Sequence, residues 1–445
     1  MKRAGSLGAI AGGLALPVAV MVPGVLLQLS GLHVPPVAAA SAFAAAVVGA
    51  AFLLTWGTEL AEIDLGEGLA LALLALIAVL PEYAVDVVFA AKAGRDPAAY
   101  APLALANMTG ANRLLIGVGW SVVALVALVA LRRKGQGLTA ESRPEAVELA
   151  PVQVIELAFL TVASVYALTL PLRDSLTIVD TVVLFGIFAV YLWRLRPSAS
   201  PMEPKFGHSV GEGGEEDDEE SELFGPAKRI ALLSFRRRRL LTVGMLAAAA
   251  AVIIVVAEPF ADSLVQTGRQ LNVSEFLLVQ WVAPLASETP EFIAVVLLAW
   301  KLQSAAALGA LISSKINQWT LLVGILPLVF AFSAGSLKGL PVDSVQREEL
   351  LLTAAQSMFA VGLVIGGRLT RAGAWSLLGL FFAQFVAAWT LPPDLRGAER
   401  LIVAAVYLVL AAGLLIRRRR SLLNVLRAGL GRSAPTKVAG EPPTP

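Results

Sequence analysis

Two Pro-Glu pairs, Pro81-Glu82 and Pro290-Glu291, sit inside long apolar stretches, where a carboxylate is suited to binding cations or protons. A proline within a span removes one backbone donor and frees a carbonyl one turn earlier. In hydrocarbon such groups are tolerated only where they are buried in protein or line a cavity. The glutamate that follows adds hard oxygen ligands of the kind Na⁺, Ca²⁺ or H⁺ can use. An ionisable group at the bilayer centre costs about 3 kcal/mol or more, which marks Glu82 and Glu291 as functional candidates. Asp86 lies four residues after Glu82 and Glu288 three before Glu291, so each pair shares a helix face. Like charges that close hinder each other's ionisation, and proton binding belongs to the same candidate chemistry.

Two bases lie in the spans that follow, Arg113 and Lys315. If the four acids and both bases cluster in ionised form, the net charge is −2, enough to attract one divalent or two monovalent cations. Neutral ligands are close in sequence: Asn107, Asn112, Ser287, Thr289, Ser313, Ser314, Asn317 and Gln318. Structural roles compete with these. Asp86 and Glu288 can serve as ion-pair partners of Arg113 or Lys315, and Asn317, Gln318 and Trp319 as packing groups. Gln356 and Gln384 suit hydrogen bonds between helices. Glu59, Glu62 and Asp64 are expected in a solvated loop, and Glu156, Asp180 and Glu258 near span ends, where water is available.

The elements that must position these groups are membrane spans. Apolar residues make up 57% of the 445 and charged residues 15%, too little polar surface for a soluble protein of this size. Cysteine is absent, and the two histidines, His33 and His208, fall in loops, so disulfides, thiolate sites and histidine metal centres are excluded. At roughly 20 apolar residues per crossing, the sequence predicts twelve spans near 7–31, 36–56, 67–91, 99–131, 149–171, 175–193, 239–257, 271–300, 304–333, 347–366, 371–391 and 400–416. The stretch 99–131 is long for one crossing and is expected to be tilted or broken. Lys2 and Arg3 before an apolar run could introduce a signal peptide, but the run is too long, and a retained anchor is expected. On this map 25 of the 35 lysines and arginines fall on one side, eight in the opposite loops, and Arg113 and Lys315 within spans. The positive-inside rule then places both termini in the cytoplasm, most simply of a bacterial plasma membrane. A linker over about 195–238 holds an acidic run, Glu212 to Glu222, then Arg236 to Arg239, and reads as a solvated tether with a headgroup anchor. The basic, then Pro-rich, tail after Arg420 receives no activity.

The chain repeats itself. Leu80-Pro81-Glu82-Tyr83-Ala84 is matched by Thr289-Pro290-Glu291-Phe292-Ile293. Each is followed by an apolar half-helix ending at a lysine, Lys92 or Lys301, and by a second related segment, 104–112 or 307–315. The copies fall in the third and eighth spans. An offset of five crossings makes them run in opposite directions, the inverted-repeat plan of transporters that rock around a midplane site. The fold class is therefore an all-α polytopic membrane protein of about 12 transmembrane helices, built as two inverted five-helix repeats (36–194 and 239–395) with one extra helix at each end (1–35 and 396–445).

These residues resemble the sodium/calcium exchanger membrane region, the core of the Ca²⁺/cation antiporter superfamily. That family carries two inverted alpha repeats, each with Gly-Thr-Ser-x-Pro-Glu and then Gly-Asn-x-x-Gly-Ser-Asn. Pro81-Glu82 and Pro290-Glu291 match the first motif's core, and Ala106-Asn107-Met108-Thr109-Gly110-Ala111-Asn112 the second. In repeat two Gly309 and Ser314 match, with Thr320 to Gly324 resembling the helix continuation. The resemblance covers about 40–135 and 240–395. It implies that Glu82, Glu291 and Asn107 are ion ligands, with Ser287 in support. Ala78 and Val79 replace the first motif's hydroxyls, Ala310 stands where a second Asn or Asp is expected, and Lys315 where the final Asn would be. A fixed ammonium can take the place of a bound cation and repel Ca²⁺, which predicts a changed coupling ion or stoichiometry. Na⁺/H⁺ or other cation/H⁺ exchange then replaces Na⁺/Ca²⁺ exchange.

The expected activity is secondary cation antiport by alternating access, with Na⁺, Ca²⁺ or H⁺ as cargo and no cofactor. A cation channel is the alternative, although it has no need of paired inverted elements. No Gly-x-Gly-Asp, His-Glu-x-x-His or Gly-x-Ser-x-Gly pattern points to an enzyme, and no Gly-x-x-x-x-Gly-Lys loop to a nucleotide-driven pump. Neither nucleic acid nor nucleotide is expected as a partner.

Overall fold

A computed structural model describes residues 7–64, 79–134, 145–195 and 225–431. The start of the expected span 67–91, with Ala78, lies outside them. So do residues 1–6, His208, the acidic run Glu212 to Glu222 and the tail from 432. The helices are α1 (Leu7–Ser30), α2 (Pro36–Asp64), α3 (Leu80–Arg95), α4 (Pro97–Leu114), α5 (Ser121–Lys134), α6 (Gln153–Ala167), α7 (Ile178–Leu195) and α8 (Pro226–Ala231). They continue with α9 (Phe235–Leu271), α10 (Glu275–Trp300), α11 (Ser304–Asn317), α12 (Val323–Ala334), α13 (Ser344–Val364), α14 (Arg371–Thr390), α15 (Pro393–Arg417) and α16 (Arg419–Leu430). The only described strands form two short antiparallel ribbons, β1 (Ala146–Glu148) with β4 (Arg368–Thr370), and β2 (Ser175–Leu176) with β3 (Leu340–Pro341).

Ten helical runs among the described residues are long and apolar enough to cross a bilayer. Of the other two predicted spans, α3 is described only from Leu80. The second, α13, misses the apolar criterion because Arg347, Glu348 and Glu349 occupy its first turns, yet most of its residues are buried. The long stretch 97–134 is one helical run, interrupted by a π-helical turn at Leu115–Trp120. A second π turn, Gln318–Leu322, joins α11 to α12. Both begin three residues after Asn112 and Lys315, at the offset of 203 residues that separates that pair. A π turn carries one extra residue and often marks a functional site.

Tertiary packing divides the chain into two compact units: residues 1–88 with 199–294, and 89–198 with 295–445. Each unit mixes both repeats, and two of the three boundaries, 88/89 and 294/295, cut through a helix a few residues past a Pro-Glu pair. In the first unit, α2 and α9, the opening helices of the two repeats, pack along each other with α1 beside α2. Their shared core holds Leu53, Leu54, Met245, Ala249 and Ile253, closed by Ala227 and Ile230 of α8. Part of the expected linker is therefore packed structure, because Pro226, Ala227 and Ile230 give α8 an apolar face to bury. Arg236 to Arg239 form the first turn of α9.

In the second unit the repeats interlock. The fourth helix of each packs on the motif helix of the other, α6 on α11 and α13 on α4. The fifth helices do likewise, α14 against α5 and its π turn, α7 against α12. Glycine permits both of the latter approaches: a Cβ at Gly117 would overlap the Phe381 ring, and one at Gly324 would come within 2.8 Å of Phe185. The residues after Arg420, expected as a tail, continue as α16, which packs on α6. Its carbonyls at Gly429 and Ala428 accept hydrogen bonds from Arg194 at 3.1 and 3.3 Å.

Candidate functional site

The first unit holds all four candidate carboxylates. Glu82 lies in the first turn of α3, where a carboxylate faces the positive end of the helix dipole. Pro81 beside it occupies a position where a missing N–H costs little. Asp86 follows one turn later, and Glu82, Asp86 and Glu288 are all buried, with Glu291 half-buried. In α10 both Pro284 and Pro290 lie within a helix that stays continuous. The Ser287 hydroxyl donates to the carbonyls of Ala283 and Pro284, each at 3.2 Å. Thr289 donates in the same way to Leu285. The hydroxyl protons are thus committed to backbone, which leaves oxygen lone pairs for an acceptor role.

The second unit holds Asn107, Asn112, Arg113, Ser313, Ser314 and Lys315 on its two motif helices. The α4 helix starts cleanly, with Asp96 capping Ala99 N–H at 3.2 Å ahead of Pro97. Asn107, Asn112 and Arg113 are buried in its second half. The Asn112 amide nitrogen donates to the Met108 carbonyl at 2.9 Å, leaving Oδ1 as an acceptor. Lys315, fully buried on α11, donates from Nζ to that Oδ1 at 2.5 Å and to the Asn112 carbonyl at 2.7 Å. Its ammonium also lies 5.1 Å from the Trp319 ring centre. Hydrogen bonds to a charged group contribute about 1.5–3 kcal/mol each, and together with the cation–π contact they offset the desolvation of the ammonium. Sequence placed Asn112 and Lys315 at equivalent positions of the two repeats, and the fold joins them directly. Ser313 pairs with the Tyr191 hydroxyl of α7 at 3.0 Å. Trp319, expected as a packing group, is buried and donates to Ser357 at 2.8 Å.

Arg113 makes an ion pair with Glu349 of α13 at 2.6 Å. Around this pair lies a cluster that sequence reading missed. Arg400 of α15, expected in an outer loop, pairs with Glu348 at 2.7 Å and reaches Glu349 at 3.8 Å, and Glu399 is buried beside them. The available signal was charge at the head of two apolar runs, which reads as solvated ends until the helices are packed. Gln356 reaches the Arg113 carbonyl at 3.5 Å, the outer limit of a hydrogen bond between helices.

Four other acids depart from expectation. Glu59 is half-buried within α2, because that helix runs past its apolar stretch to Asp64. Asp180 is fully buried and takes hydrogen bonds from Tyr166 at 2.7 Å and from the Thr177 N–H at 2.7 Å, plus an ion pair with Arg173. It is a structural cap for α7. One carboxylate oxygen of Glu156 is buried with no hydrogen bond among the described residues. Glu258 is exposed, as expected, and departs only in that α9 extends thirteen residues beyond it.

Helices of membrane-spanning length, in two repeats that each pair a Pro-Glu helix with an amide- or lysine-bearing helix, define a polytopic integral-membrane protein. A family model described as sodium/calcium exchanger protein matches residues 35–195 and 241–390, so the chain belongs to that family. It is similar to a crystal structure described as the H⁺/Ca²⁺ exchanger CAX. The two are 35% identical with a TM-score of 0.82, over 95% of this chain and 98% of that one. A structure of YfkE shares the fold at 13% identity and a TM-score of 0.55, over 89% of this chain and 99% of that one. No curated protein matches the chain.

Proposed function

We propose that this protein exchanges Ca²⁺ for H⁺ by alternating access, with Glu82 and Glu291 as the principal ion ligands. Asn107 and Ser287 are the neutral ligands, and Asp86 and Glu288 the accessory acids. Ser313 and Ser314 support the site. The observation that carries the proton-coupled reading is the Lys315 ammonium, held on both Asn112 oxygens where the repeat pattern calls for another neutral ligand. A permanent positive charge there occupies the place a coupling Na⁺ would need. The similarity to an H⁺/Ca²⁺ exchanger at 35% identity supports the same assignment.

Among the described residues no group of three or more His, Cys, Asp or Glu side chains is placed to hold a metal ion. Reconstituted vesicles test the proposal: a pH gradient should drive calcium uptake in the absence of Na⁺, and both Glu82→Gln and Glu291→Gln should abolish it. Full transport in both variants would refute the site. Uptake that follows a Na⁺ gradient alone would refute the coupling ion.

A further inference from the structure

The Arg113 cluster contains three carboxylates and two guanidinium groups, and both guanidinium groups are already engaged. Arg113 of α4 pairs with Glu349. Arg400 makes two bonds to Glu348, at 2.7 and 2.9 Å, and reaches Glu349 at 3.8 Å. The remaining carboxyl, Glu399 on the second turn of α15, is only 9% exposed, and neither of its oxygens accepts a hydrogen bond among the described residues. It lies within electrostatic reach of Glu349, Arg113 and Arg400. The Tyr407 hydroxyl, two turns further along α15, also faces Arg113. Of the neighbouring helices, α14 carries a single charge, Arg371, at its opposite end.

We propose that Glu399 is a proton-binding site outside the repeat motifs, linked through Arg113 to the helix that carries Asn107 and Asn112. A buried carboxylate with no hydrogen bond is costly, and a bound proton removes that cost by neutralising it. A metal ion is the poorer occupant, because it needs several oxygen ligands and would face two guanidinium groups. A proton needs one lone pair. With Glu399 protonated the five groups sum to zero. With it ionised the cluster carries −1, and Arg113 is drawn between Glu349 and Glu399. Arg113 directly follows Asn112, the residue that holds Lys315, so the proton occupancy of Glu399 bears on the motif helix itself.

The flux effect of this site rests on the exchange reading; its protonation does not, and the test keeps the two apart. Infrared difference spectra of the full-length protein in lipid, taken between acid and alkaline pH, should show a neutral-carboxyl band that Glu399→Gln removes and Glu399→Asp keeps. In vesicles, Glu399→Gln should lose one step from the pH dependence of calcium flux, while Glu399→Asp retains it at a shifted pH. A difference spectrum that folded Glu399→Gln leaves unchanged from that of the parent protein would overturn the proposal, whatever the flux shows.

Discussion

The two motif helices, α4 and α11, share a backbone plan and differ in charge. Each is buried, each turns π-helical three residues after an equivalent position, and each leans on the fourth helix of the other repeat. Yet α4 presents Asn107, Asn112 and Arg113, where α11 presents Ala310, Lys315 and Ile316. The cationic side chain has moved one position along the helix, and that single step sends it to a different partner. Arg113 leaves the motif face for Glu349, whereas Lys315 crosses to Asn112 of the sister helix. Backbone symmetry fixes where ligands can stand; the side chains decide which copy offers oxygens and which offers a fixed positive charge.

That contrast can be broken from either side. The largest effect on stability is expected at Arg113→Gln, which strands a buried carboxylate at Glu349 and should destabilise the protein by about 3–5 kcal/mol. Thermal unfolding in detergent measures it, and adding Glu349→Gln should recover most of the loss. For transport, Glu291→Gln should take calcium flux below detection, a loss of at least about 100-fold, on the order of 3 kcal/mol for one charged ligand. Glu82→Gln should do the same if the repeats contribute equally, and any difference between the two measures their asymmetry. The backbone half of the comparison is tested at Gly117→Val and Gly324→Val, each expected to cost about 1–3 kcal/mol through overpacking. Gly117→Val should be the worse, because its Cβ would press closer into the Phe381 ring than a Cβ at Gly324 would into that of Phe185. Lys315→Asn restores the repeat pattern and should raise Na⁺-dependent calcium flux about 10-fold, roughly 1.4 kcal/mol, at the expense of proton-driven flux.

Much of this was legible in the sequence, for identifiable reasons. Hydropathy alone located ten of the twelve expected spans, because crossing a bilayer demands long apolar runs, and the Pro-Glu match revealed the repeat. The burial of Lys315 followed from its place within a span. Its partner did not, since a contact across 203 residues depends on how two helices pack. The π turns left no sequence signal, because a change of hydrogen-bond register needs no particular residue. Glu349, Glu399 and Arg400 were missed because charges at helix ends read as solvated until tertiary packing covers them. Asp180 misled for the same reason: its loop folds back and closes over it.

Sodium-free vesicles loaded with a pH-sensitive dye, with radiolabelled calcium outside, test the central claim most directly. Calcium uptake should be accompanied by proton release from the lumen, should require the pH gradient, and should vanish in Glu291→Gln. Calcium uptake with no proton movement, or uptake driven only by a Na⁺ gradient, would contradict the assignment of Lys315 as the stand-in for a coupling cation.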